Sequence, residues 1–217
     1  MTDSNLTHLY FLLDRSGSMQ SIRTDTMAGF DAFIEEQRRT PGRCRVTLAQ
    51  FDDGFEEVYA DRELADVPPL VLTPRGSTAL LDALGRLITA AGERLAALAE
   101  AERPGSVIVG VLTDGHENAS REWSHPQVKE LIERQSGDYG WQFLYLGADQ
   151  DAIEEGAKMG FAAGKSMTYA RGKARQSMAH LSTNVHAFRS AVMTGAAPLE
   201  AQQLTDFKED QRTDVAE

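Results

Sequence analysis

The stretch Leu9-Tyr10-Phe11-Leu12-Leu13-Asp14-Arg15-Ser16-Gly17-Ser18 decides how this chain is read. An unbroken apolar run suits a strand buried on both faces, as in the middle of a parallel sheet. The run then breaks into a carboxylate and two hydroxyls at alternate positions, and Gly17 lets the backbone turn sharply between them. In an open parallel sheet, the ends of such strands meet along one edge, where ligands bind.

Two later segments repeat the pattern. Gly76-Ser77-Thr78 places a hydroxyl at the start of a long apolar helix, and Thr113-Asp114-Gly115 follows the run Val107-Ile108-Val109-Gly110-Val111-Leu112. Asp14, Ser16, Ser18, Thr78 and Asp114 are therefore expected to converge as oxygen donors for a hard cation. Each residue also has an ordinary use: Thr78 can cap its helix, the serines can start a helix, and Asp114-Gly115 can form a turn.

Around these segments, strands and helices alternate. Strands are expected at about 6–13, 45–51, 55–60, 107–112, 142–146 and 166–169, and helices at about 19–39, 124–135, 149–159 and 172–193. A further helix follows Thr78, carrying Leu80, Leu84, Leu87, Ile88, Ala91, Leu95 and Leu98 on one stripe. Asp52-Asp53-Gly54 between two β-like runs is a hairpin signal, which adds an antiparallel edge strand. Ser124 suits an N-cap with Pro126 in the first turn, and Asp149 suits the N-cap of the next helix. The expected fold is α/β: a three-layer, doubly wound, Rossmann-like sheet, mostly parallel, over residues 1–197. From Pro198 to Glu217 the chain is polar and acidic, with few large apolar groups, and reads as a tail that is mobile or used for contacts.

Composition narrows the function classes. A net charge of −11 argues against broad nucleic-acid or anionic-membrane binding. The single cysteine, Cys44, cannot form an internal disulfide or a multi-thiolate zinc site, and reads as a small residue at a strand start. The N-terminal residues lack the pattern of a signal peptide, and no stretch has the roughly 20 apolar residues of a membrane span. A cytoplasmic protein is the expectation.

The segments DRSGSM at 14–19, GSTALLDAL at 76–84 and VLTDGHEN at 111–118 together resemble the von Willebrand factor A family. The resemblance covers roughly residues 6–193. It implies a metal-ion-dependent adhesion site at Asp14, Ser16, Ser18, Thr78 and Asp114, with Mg²⁺ or Mn²⁺ as the ion. It also implies a protein partner that supplies an acidic ligand, so the chain is expected to be a non-enzymatic binding module. A scaffold in a bacterial stress-response system and an adaptor for a ring-shaped ATPase both fit that class. The rival is a Mg²⁺-dependent phosphoryl-transfer or phosphatase enzyme using Asp14. It is weakened because position 16 is a serine, where an aspartyl-phosphate mechanism wants an acid/base carboxylate. Nucleotide binding lacks both common glycine-rich loops.

Other residues carry lesser expectations. Arg15 is expected to point outward, to an acidic partner or to solvent. His116 and Glu117 can line the rim, Asn118 can hold its loop through backbone hydrogen bonds, and Asp52 and Asp53 belong to the hairpin turn. Trp123 and Trp141 suit packing, and His8, His125, His180 and His186 show no metal-ligand spacing.

Overall fold

In strand β1 (Asp3–Asp14), Leu9, Phe11 and Leu13 enter one core while Tyr10 and Leu12 enter another, and all are buried. A strand with two buried faces must be covered by helices on both sides. The computed structural model, which describes residues 2–216, shows how. Helices α1 (Arg23–Arg38) and α5 (Ala174–Met193) cover the first face, with Phe11 meeting Phe30 and Phe33 edge-on at 5.1 Å. Helices α2 (Leu80–Ala97), α3 (His125–Tyr139) and α4 (Ala152–Lys158) cover the second, around Leu84, Ile88, Val128 and Ile132. Burying a side chain of this size stabilises the fold by about 1.5–3 kcal/mol.

The sheet contains β2 (Arg43–Phe51), β3 (Phe55–Glu63), β4 (Pro104–Thr113), β5 (Gln142–Ala148) and β6 (Ser166–Tyr169) in the order β3-β2-β1-β4-β5-β6. All pairings are parallel except β2 with β3, which joins across the expected Asp52-Asp53-Gly54 turn. The chain winds outward from β1 to β3, then returns to place β4 on the other side of β1. That reversal opens a crevice between the ends of β1 and β4, where Asp14 and Thr113 lie. Cys44 is buried near the start of β2, as expected. Among the described residues, no helix is long and apolar enough to cross a membrane.

Two expectations need correction, and a third is narrowed. The helix expected from residue 19 begins instead as a 3-10 turn, Gly17–Ser21, before α1. Asp149 is not an N-cap. It takes a left-handed φ of 49°, and Asp151 caps α4 by accepting hydrogen bonds from the N–H groups of Ile153 and Glu154. Residues 198–215, expected as a tail that is mobile or used for contacts, make contacts with the body: they form α6 (Pro198–Gln203) and α7 (Glu209–Val215), with Ala201, Phe207 and Val215 buried. Their backbone is tied in by Phe207 N–H to Gly164 O at 2.8 Å and by Ala170 N–H to Val215 O at 2.7 Å.

Candidate metal centre

Asp14 is the last residue of β1 and is wholly buried. Each carboxylate oxygen is held separately. Oδ1 accepts the N–H of Ser16 at 2.6 Å, and Oδ2 accepts the hydroxyl of Thr113 at 2.6 Å. Ser16 Oγ lies 3.0 Å from Ser18 Oγ, and the Ser18 hydroxyl donates to Asp114 Oδ1 at 2.6 Å. Asp14, Ser16, Ser18 and Asp114 are thus joined by consecutive hydrogen bonds, although 96 residues separate Ser18 from Asp114.

Thr78 approaches from the loop before α2. A Cβ on Gly115 would sit 2.8 Å from Thr78 Oγ1 and 3.6 Å from Asp14 Oδ2, so both oxygens face the space beside this glycine. Thr78 does not cap α2. Asn118 Oδ1 accepts the Thr78 N–H, Glu117 Oε2 accepts that of Leu81, and Ser120 Oγ accepts that of Asp82. The loop after β4 therefore satisfies the start of α2 and leaves the Thr78 hydroxyl free of that task. Asn118 holds its loop as expected, and Glu117 turns into a capping residue.

Burial dominates the electrostatics of both carboxylates. Burial pushes Asp14 up to about 6, against the lowering effect of its bonds from Thr113 and Ser16. Burial also raises Asp114, opposed by Ser18 and by Arg171. Asp114 Oδ2 is buried and makes no hydrogen bond; the Arg171 guanidinium, 3.4 Å away, answers its charge. Arg171 also pairs at 2.9 Å with Asp149, the residue whose backbone is left-handed.

This donor set fits a hard divalent ion. Neighbouring ligands of an octahedral ion with metal–oxygen distances of about 2.0–2.1 Å stand about 2.8–3.0 Å apart, and the two serine hydroxyls are 3.0 Å apart. The Asp114 oxygen without a hydrogen bond is the kind of orphan that a cation satisfies. Among the described residues, no group of three or more His, Cys, Asp or Glu side chains offers an alternative.

Arg15 corrects the expectation of an outward side chain. It is buried, donates to Asp52 Oδ2 at 3.0 Å and pairs with Glu56. Arg75 reaches the same Asp52 oxygen at 2.7 Å, and Asp53 Oδ1 accepts the Ser77 N–H, so the hairpin turn steadies both motif loops. Reading the sequence missed two contributors. Thr113 stands beside Asp114 in the motif but was given no role, and Arg171 opens a 3-10 turn after β6 that carries no motif.

No protein-family model matches this chain, and no curated protein matches it. Solved structures do. The proximal thread matrix protein 1 from the mussel byssus superimposes with a TM-score of 0.59 at 16% identity, over 84% of this chain and 47% of that one. A von Willebrand factor type A protein from Catenulispora acidiphila gives 0.54 at 15% identity, over 86% and 42%. The fold is that of a von Willebrand factor A domain. The pilus adhesin SpaC from Lactobacillus rhamnosus GG, in its open conformation, gives 0.62 at 11% identity, over 83% and 30%. The chain spans less than half the length of each of these structures.

Proposed function

We propose that this A domain is a non-enzymatic protein-binding module whose grip depends on Mg²⁺ or Mn²⁺ held by Asp14, Ser16, Ser18, Thr78 and Asp114. The observation that carries the reading is the convergence of five oxygen donors at the crevice between β1 and β4. When bound, the ion supplies a Lewis-acidic position for a carboxylate oxygen of a partner protein. The chain's own residues set how strongly. Three hydroxyls contribute no charge, and two carboxylates only balance a divalent ion, so an anionic outside ligand is still attracted. Thr113 and the Ser16 N–H fix the Asp14 carboxylate, and Gly17 and Gly115 keep the rim open.

Two further observations support binding over catalysis. Position 16 holds no acid/base carboxylate, and both oxygens of Asp14 are engaged as acceptors. The pilus adhesin SpaC, which shares the fold, agrees with a module that holds partners.

Thermal melting in Mg²⁺, Mn²⁺ or EDTA tests the site. At a hundredfold excess of ion over Kd, stabilisation should be about 2.7 kcal/mol in the parent and absent in Asp14→Ala. A parent protein that melts identically in Mg²⁺, Mn²⁺ and EDTA would overturn the reading. A pull-down with and without chelator, comparing parent with Asp14→Ala, then finds the partner. Hydrolysis of a generic phosphate ester that disappears in Asp14→Asn would restore the enzyme alternative.

A further inference from the structure

At the opposite end of the sheet from Asp14 lies a cleft of about 500 Å³ between α2, α3 and the first residues of β4. That volume lies in the range of about 300–1,000 Å³ typical of small-molecule sites. Its lining mixes apolar and polar groups. The apolar part combines buried Ile88, Leu95, Val107 and Trp141 with half-buried Leu131 and with Tyr139, which has 67% of its surface exposed. Helix α2 carries Gly92 here, so no side chain fills the space above it.

The polar groups in the cleft are under-used. Gln135 is only 7% exposed, yet its side-chain amide makes no hydrogen bond among the described residues. Its amide atoms line the open cleft, where they are available to water or to a ligand. Arg134 lines the cleft with no ion pair or hydrogen bond among the described residues. Arg103 is held in place by donating to the carbonyls of Leu98 and Ala96 at the end of α2. Glu93 is the carboxylate in the lining, and Glu100 lies near enough to Arg103 for their charges to interact. Among the described residues, Arg134 is the guanidinium left free to meet a ligand.

We propose that this cleft is a second binding site, for a small amphipathic acid with an aromatic or aliphatic body and one anionic head. The body lies over Trp141 and Leu131, the Gln135 amide bonds a polar atom of the ligand, and Arg134 meets the anionic head at the mouth. The site is independent of the cation centre, which lies at the other end of the strands.

The test uses the full chain and two fluorescent probes, anionic 8-anilinonaphthalene-1-sulfonate and uncharged N-phenyl-1-naphthylamine. Both should bind saturably to the folded protein. Gly92→Phe fills the cleft and should weaken both by about tenfold or more. A Cβ at Gly92 meets only the Gln135 amide, at 3.6 Å, so the backbone there admits a side chain, and circular dichroism checks that Gly92→Phe is folded. Arg134→Ala should weaken only the anionic probe, by about three- to tenfold. Backbone amide shifts on probe addition should gather on α2, α3 and the start of β4, a readout that needs no variant. Absence of saturable binding, shifts at the Asp14 end of the sheet, or full binding by folded Gly92→Phe would each overturn the proposal. Equal effects of Arg134→Ala on both probes would overturn the assignment of an anionic ligand.

Discussion

Thr113 governs the geometry of Asp14. Its hydroxyl donates to Oδ2 at 2.6 Å and also lies 3.1 Å from the Gly115 N–H, linking the carboxylate to the loop beside Thr78. Thr113→Val preserves the shape but removes the donor, leaving a buried carboxylate one bond short. Groups that orient a metal ligand typically change affinity by about 10–100-fold, so the Kd for Mg²⁺ by calorimetry should rise by that much in Thr113→Val and far less in Thr113→Ser. An unchanged Kd in the valine variant would separate Thr113 from the cation site. His8 makes a different prediction. Burial, then the charges of Arg94 and Arg45, push it down to about 3, and it stacks on Tyr10 at 4.1 Å with Nε2 2.9 Å from Thr47 Oγ1. The unfolded chain binds this proton near pH 6.5 and the folded chain does not, so the contribution is complete above that pH and is lost as pH falls toward 3. The slope is at most about 1.4 kcal/mol per pH unit. Asp14 is shifted upward and acts with the opposite sign, so the informative quantity is the stability difference between parent and His8→Gln. That difference should favour the parent at pH 7 and shrink steadily between pH 6.5 and 4; a constant difference would refute the buried neutral imidazole.

Helix α2 contains two glycines whose roles are opposite, and the contrast belongs to the element as a whole. A Cβ on Gly85 would sit 2.2 Å from the Trp123 ring, so this glycine exists to admit the indole against the helix. Gly92 faces the open cleft. Alanine improves helix propensity at either position by roughly 0.5–1 kcal/mol. Gly92→Ala should therefore raise the urea midpoint, while Gly85→Ala should lower it by roughly 1–3 kcal/mol of stability through overpacking. Equal gains at both positions would mean that Trp123 can leave its seat at little cost. The helix itself was plain in the sequence, because a stripe such as Leu80, Leu84, Leu87, Ile88 and Ala91 repeats at helical spacing and all of it is buried. Trp123 was readable as packing, but not its seat, since a lone glycine in a helix does not say which distant ring it serves. The site divides in the same way. Asp14, Ser16, Ser18, Thr78 and Asp114 were legible because each follows a strand or opens a helix, and topology brings such ends together. Arg15 and Asp149 were misread because their partners, Asp52 and Arg171, come from other loops and leave no local pattern.

At the scale of the molecule, the doubly wound order places the cation centre and the apolar cleft at opposite ends of the same strands, with the C-terminal segment packed along the α5 side. That segment was hardest to read because its helices are too short to show a period and much of its anchoring is polar. Asn184 and Gln211 exchange side-chain hydrogen bonds, Lys165 pairs with Asp206, and His180 Nε2 lies 2.8 Å from Asp214. Leu199 and Leu204, two of its larger apolar groups, remain exposed, while Phe207 and Val215 carry the burial. Phe207→Ala should then cost about 3–5 kcal/mol if the segment belongs to the cooperative fold. The measurement is urea unfolding followed both by Trp fluorescence and by far-ultraviolet circular dichroism. Trp123 and Trp141 pack in the core on the other face of the sheet, so fluorescence reports a region that Phe207 does not touch. A midpoint lowered equally in both signals, with the slope unchanged, is the result expected of one cooperative unit. A fluorescence midpoint that stays at the parent value would make α6 and α7 an appendage that detaches without disturbing the sheet.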